Sequence, residues 1–447
     1  MAALSGLFYG SNKMATGVEV QFFSHLNGLT LGNNWGDLIR MLDKALVTGI
    51  DFTQITAASI DAQGDVHITL YAAHNAMLFQ VVELSGFAPA SLNQKYRIKG
   101  VPSANELILK PHTAIVETSI TTVGSGKIAP LGYEIIFRDT NDVKRVYRAK
   151  NPNAEHPFIR VDESLTSPDG TTGVYTSTYA KYAMVGLLEH MDHIDDYENP
   201  DVLQLPFYPA DPAKNWKITG SGGGVIRGWC RWHWARNADG YNSGNDSVSP
   251  ANGNRTFTLC GNRDALYIFV SFSSGNVKQL LGCGLYETPY AKGSTNPNWF
   301  LMGPTDNRTA NTSIDHTAIA GGWPLMYAHS SAKFLINNFE IGNEQHQYAN
   351  PIAPNRQPSG GINHTYPDDY RSGDNDLVSS GYYVMQIPFA DEVRIRGVLK
   401  HIHFVGGKVA KNITTPSIED KAMYVYDGSV VSSRGTGGCY FYLGDIE

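Results

Sequence analysis

Between Asp65 and Tyr71 the chain alternates strictly, with Val66, Ile68 and Leu70 on one side and His67, Thr69 and Tyr71 on the other. A side-chain repeat of two belongs to an extended backbone, so this stretch predicts a strand with one buried face. Residues 78–84 form a second apolar run, and Tyr96-Arg97-Ile98-Lys99 alternates again. Pro102-Ser103-Ala104-Asn105 then turns the chain into the β-prone stretch 106–110. We read 55–124 as a compact antiparallel sandwich or barrel, with 121–127 as its exit linker.

One helix precedes this unit. Leu38, Met41, Leu42, Ala45 and Leu46 recur at helical spacing, Asn34 stands as the candidate N-cap with Asp37 three residues on, and Gly49 closes the pattern. So narrow a stripe is a core face. Upstream, 1–30 reads as irregular, either an arm lying on a neighbour or a poorly ordered terminus, with Phe22 and Phe23 as anchors. Downstream, short strands are expected at 133–137, 146–148 and 158–161, while 179–188 fits either strand or helix. Further β-prone runs fall at 256–259, 266–272, 382–388, 393–404 and 439–443. Polar loops at 236–254, 287–320 and 342–380 are long for a compact domain, which points to function, interface or local disorder, and 287–320 and 342–380 are expected to be buried against partners. The resulting division is an N-terminal arm and helix (1–54), an inserted β-sandwich (55–124), a β-rich middle region (125–224) and a C-terminal β domain with long loops (225–447). The expected fold class is mainly β and multidomain: antiparallel sandwiches or barrels with one short amphipathic helix near the N-terminus. A chain of 447 residues is long enough for two or three such cores.

Composition supports the same class. Charged residues are 17%, below the roughly 25% usual for soluble domains, and Gly (45), Tyr (24), Asn, Ser and Thr fill the difference. Strands joined by polar turns use these residues; long charged helices do not. A net charge of −7 without a dense Lys/Arg block argues against a nucleic-acid partner. No apolar run reaches the ~18 residues of a membrane span, and Met1 to Gly10 lacks the basic start of a secretory signal. Cys230, Cys260, Cys283 and Cys439 show no C-x-x-C spacing and read as reduced, buried thiols of a protein made in the cytoplasm.

Candidate chemistry is sparse. His190 and His193 stand with Asp192, Asp195 and Asp196, and at i, i+3 they would share a helical face able to hold a metal. His401 and His403 would share a strand face in a geometry suited to zinc or nickel, but no third ligand is identifiable. Asp368, Asp369, Asp374 and Asp376 resemble the start of a calcium loop without its Gly and closing Glu. Solvated acidic loops and ordinary subunit contacts account for these groups more readily than a metal does. Trp229, Trp232 and Trp234, with Arg231 and His233, could stack on sugar rings or fill a core or interface. Walker A, G-x-S-x-G and H-E-x-x-H are absent. The run Gly220-Ser221-Gly222-Gly223-Gly224 opens a strand, not a helix, and is a packing turn rather than a phosphate loop. A glycosidase carboxylate pair is defined in space and is invisible at this level.

The order of the pieces carries a resemblance. Trp35-Gly36-Asp37-Leu38-Ile39 and Leu46-Val47-Thr48-Gly49 lead into His74, Val82-Glu83-Leu84-Ser85-Gly86, Leu92-Asn93-Gln94-Lys95-Tyr96-Arg97-Ile98 and Val101-Pro102-Ser103-Ala104-Asn105. Pro130-Leu131-Gly132-Tyr133 to Phe137, Val146-Tyr147-Arg148 and Ile159-Arg160-Val161-Asp162 follow. This succession resembles tail- or baseplate-associated virion structural proteins of tailed bacteriophages, with an inserted Ig-like domain. Gln94 departs from the glycine of that pattern. The match covers the first third well and the rest thinly. The resemblance implies a virion subunit, present in several copies, that contacts copies of itself and other virion proteins and has no catalytic residues; from charge, hydropathy and motifs, no nucleic-acid partner, membrane insertion or cofactor is expected. The rival readings are a receptor-binding or decoration protein gripping a host-surface glycan through Trp229, Trp232 and Trp234, and a polysaccharide depolymerase.

Overall fold

The alternation at 65–71 yields the strand Val66–Leu70, whose Val66, Ile68 and Leu70 are buried while His67 and Thr69 are half-exposed. The computed structural model describes residues 17–167, 174–222, 225–237, 246–271, 278–288, 297–305, 334–338, 346–351, 355–356, 362–363, 382–391, 394–407, 413–431 and 435–446. Among them the fold is mainly β and multidomain, with antiparallel sheets and one helical segment near the N-terminus, as the alternation predicts. No helix of the described residues is long and apolar enough to cross a membrane.

Seven strands form the first sheet, in the order Ile50–Asp51, Ser125–Ile128, Val81–Ser85, Lys95–Ser103, Glu106–Pro111, Val66–Leu70 and Ile55–Ile60. Ser125–Ile128, expected within a linker, is a strand: Gly126 and Ile128 pair with Leu84 and Val82. Gln94 staples the turn, its amide donating to the carbonyls of Ser91 (2.9 Å) and Thr113 (3.0 Å).

The helical stripe is buried as expected, with Leu38, Met41, Leu42, Ala45 and Leu46 all in the core. The helix runs α over Asp37–Leu42 and widens to a π turn over Asp43–Thr48. Its N-cap is Gly36 (φ 86°), not Asn34, and no side chain of the cap residue bonds the first turn. The partner comes from far away. Glu163 accepts from the backbone N–H of Gly36 and, at 2.9 Å, from that of Ile39. Gly49 ends the helix at φ 74°, where a Cβ would strike the carbonyl of Ile128.

A second sheet runs Gln204–Leu205, Lys181–Leu188, Phe158–Asp162, Lys144–Ala149 and Tyr133–Arg138. The ambiguous 179–188 stretch therefore resolves as strand, buried along its length. Arg231–Ala235, expected in the C-terminal region, also pairs with Lys181–Leu188.

The third sheet has twelve strands: Gln21–Ser24, Phe257–Gly261, Ala265–Ser271, Lys278–Leu285, Trp299–Met302, Phe334–Ile336, Gln347–Pro351, Tyr382–Ala390, Ile395–Gly407, Gly435–Asp445, Ala422–Val431 and Thr415–Glu419. Its first member corrects the expected arm. Phe22 and Phe23 lie in a strand that pairs with Cys260 and Leu259 of the same chain, and both are fully buried. A continuous apolar cluster joins Phe22, Tyr267, Phe269 and Leu280 to Phe389, Ile402, Val425 and Phe441. The sheet thus bends over so that its early and late strands face each other as two layers of a sandwich. The rings of Tyr267 and Phe441 are 6.3 Å apart across that core. Strands Trp299–Met302 and Gln347–Pro351 lie within stretches expected to be loops; the remainder of 306–320 and most of 352–380, with Asp368, Asp369, Asp374 and Asp376, lie outside the described residues. The four cysteines are buried, unpaired thiols.

Candidate functional site

The tryptophan-rich strand is where sequence placed the richest recognition chemistry. Trp229, Trp232 and Trp234 are 3%, 1% and 0% exposed, so none offers a ring face to solvent. Trp232 Nε1 donates to the carbonyl of Met302 at 2.8 Å, tying the second sheet to the third. The ring of Trp229 meets His346 edge-on at 4.6 Å, and Lys214 Nζ lies 4.8 Å from its centroid. Trp234 packs edge-on against Trp35 at 5.9 Å.

The charged residues of this strand are buried as well, and one acid gathers them. Asp246 meets Arg236 Nε at 2.9 Å, His233 Nε2 at 3.2 Å and Arg231 Nη1 at 3.2 Å. Burial alone would raise the Asp246 carboxyl, but Arg236, His233 and Arg231 hold it well below the usual carboxylate range. Burial lowers His233 to about 4, against the pull of Asp246. The cluster closes the chain after residue 245 back onto the strand; its groups are already occupied by one another.

Beside it, Arg227 is fully buried and donates to the carbonyls of Ser164 (2.8 Å), Asp162 (2.8 Å) and Tyr182 (2.5 Å). Its guanidinium lies 4.9 Å from the Tyr182 ring centroid and 5.2 Å from that of Trp35. Trp35 is only partly buried, and here the structure opens. A cleft of about 370 Å³ is lined by Trp35 with Asn33, Asn34, Ser177, Lys181 and Ser249 among its walls. In the sequence Trp35 stands at the opening of the helical segment, and Lys181 lies in the 179–188 stretch that fits either strand or helix. The available signal was that Trp35 precedes the apolar stripe and so is not held on its face.

The histidine candidates do not converge. His190 is exposed and bonds Asp192 at 3.0 Å, while Asp195 is taken by Lys144 (2.8 Å) and Arg160 (2.5 Å). His193 Nδ1 accepts only a backbone N–H, that of Asp195, at 3.3 Å. The region 189–196 is a turn-rich loop, which removes the helical face that i, i+3 spacing required. His401 has φ 58° at an irregularity in its strand, which breaks the alternation expected to align it with His403. Burial and Lys400 lower His401 to about 4. His403 stacks on Tyr442 at 5.7 Å, and burial lowers it too. Among the described residues no group of three His, Cys, Asp or Glu is placed to hold a metal.

No family model matches the chain, and no curated protein matches it. Among solved structures, phage phi92 endosialidase is similar over 89% of this chain and 51% of its own, at 10% identity and a TM-score of 0.13. This chain therefore spans about half the length of that protein, and a superposition so loose carries no argument about fold or activity.

Proposed function

We propose that this chain is a structural subunit of a tailed-phage particle, in the tail or baseplate region, acting through contacts with copies of itself and with other virion proteins. The succession of sequence pieces around Trp35, His74 and Gln94 supplies the phage assignment. The structural observation behind the scaffolding role is Arg97. This fully buried side chain of the first sheet donates to the carbonyls of Gly17 (2.6 and 3.0 Å), Val20 (3.0 Å), Phe79 (2.7 Å) and Leu443 (3.3 Å). One guanidinium thereby joins the inserted sheet to the N-terminal strand and to the last strand of the twelve-stranded sheet.

A side chain holding a carbonyl 346 residues further along the chain makes the inserted sheet part of a rigid body rather than a tethered appendage. Rigidity of this kind suits a subunit that must hold its neighbours at fixed angles. Repeated contacts then follow the symmetry of the particle, threefold or sixfold in a tail. The acidic balance and the absence of a basic block favour protein partners over nucleic acid.

Gold-labelled antibody against the chain, applied to purified particles of the encoding phage, should mark the tail or baseplate, and the purified chain should self-associate at micromolar concentration. Absence from purified particles, with a chain that stays monomeric, would overturn the assignment.

A further inference from the structure

Two polar groups in the cleft beside Trp35, the Lys181 ammonium and the Asn33 Oδ1 atom, keep hydrogen-bonding capacity that the described residues leave unused. Lys181 is 4% exposed and donates from Nζ to the carbonyls of Ser177 (2.8 Å) and Tyr179 (2.7 Å). An ammonium carries three N–H bonds, and no carboxylate of a described residue pairs with this one. Its charge lies 5.2 Å from the centre of the Trp35 indole. Also lining the cleft, Asn33 donates from Nδ2 to the carbonyl of Pro250 at 3.3 Å and to Asn252 Oδ1 at 3.4 Å, while its buried Oδ1 accepts nothing among the described residues.

A buried cation without a counter-charge is costly, and burial alone lowers Lys181 to about 8. Its surroundings in the cleft are amides and hydroxyls, from Asn34, Ser177, Thr178, Ser249 and Asn252, and the lining includes no carboxylate. The cleft volume of about 370 Å³ lies toward the small end of ligand sites. A molecule that completes this arrangement brings one negative charge, several hydroxyls and the dimensions of a single ring.

We propose that the cleft binds a hydroxylated carboxylate of sugar-acid size, its carboxylate paired with Lys181 and a hydroxyl donating to Asn33 Oδ1, with the ring beside Trp35. The three walls come from the segment before the helix, the turn before Lys181–Leu188 and the segment at 249–252, so the site exists only in the folded chain. It does not depend on the virion role.

Ligand-observed NMR on the full chain tests this with glucuronate, glucose and inorganic phosphate. Glucuronate should bind, glucose should bind at least tenfold more weakly, and phosphate should not displace glucuronate at equal concentration. Lys181→Met should weaken glucuronate binding at least tenfold. Ser249→Glu serves as the second variant, because it keeps Lys181 and its carbonyl contacts while placing a carboxylate on the exposed wall of the cleft. It should abolish binding with an unchanged melting temperature. No glucuronate binding to the unaltered chain, equal binding of glucose, displacement by equimolar phosphate, or binding that survives Ser249→Glu would each overturn the proposal.

Discussion

Gln21 and Val81 exchange two hydrogen bonds, the Gln21 amide donating to the Val81 carbonyl at 2.8 Å and its Oε1 accepting from the Val81 N–H at 3.0 Å. The side chain imitates one step of a β-ladder, between a strand of the twelve-stranded sheet and a strand of the seven-stranded one. The same amide reaches the Ala129 carbonyl at 2.8 Å, and Oε1 also accepts from the Phe22 N–H at 2.9 Å. Because Gln21 is 2% exposed, water does not replace it.

Gln21→Leu keeps the volume and removes the Gln21 partner of the Val81 and Phe22 N–H groups and of the Ala129 carbonyl, while the Val81 carbonyl keeps the Ala129 N–H at 2.8 Å. Each buried group left without a partner costs about 1–3 kcal/mol. We expect a loss of at least about 3 kcal/mol, read as a lower denaturant midpoint, and faster amide exchange at Val81 than at Ile68 in the same sheet. A midpoint within experimental error of the unaltered chain would refute the ladder role.

The sandwich of the third sheet is pinned by Lys278 and Asp427, 2.5 Å apart, both with side chains at most 1% exposed. Thr258 Oγ1 adds a bond to Asp427 at 2.8 Å. Asp427→Ala leaves a buried ammonium and should destabilise the chain by about 3–5 kcal/mol. Replacing both partners, with Lys278→Met and Asp427→Leu, should restore most of that loss. Equal damage from the single and double variants would show that packing, rather than charge, sets the cost.

Glu163 makes stability depend on pH. Burial raises its carboxyl to about 7 even though the N–H groups of Ile39 and Gly36 pull the other way. The unfolded carboxyl ionises near 4.5, so the folded state holds the proton over a window where the unfolded state has lost it. Stability from this group is therefore full below about 4.5, falls as pH rises through the window, and levels off above about 7, a change of about 3 kcal/mol. Glu163→Gln removes this slope while retaining an acceptor for the helix N-terminus. Denaturant curves taken between pH 4 and 8 should differ in slope between the two proteins; parallel curves would be incompatible with a raised Glu163.

Much of the secondary structure was legible because it depends on neighbours in sequence. The period of two at Val66, Ile68 and Leu70 and the helical stripe from Leu38 to Leu46 place their apolar groups on one face, and both faces are buried. Gly49 as the helix stop was likewise local, since a left-handed backbone turn favours glycine. The N-cap was misassigned because the group bonding the first turn is Glu163, more than 120 residues on. Trp229, Trp232 and Trp234 were found as a cluster, but exposure is a property of the packed molecule.

By itself, the sequence determined a mainly antiparallel β chain with one amphipathic helix and few charges, because strand and helix periodicity are written in adjacent residues. Only the tertiary structure decided that Phe22 and Phe23 pair with the chain's own third sheet, that the tryptophan strand joins the second, and that Trp35 and Lys181 border a cleft. Those arrangements arise from hydrogen bonds and packing between segments up to hundreds of residues apart, and no local pattern encodes which segment will arrive.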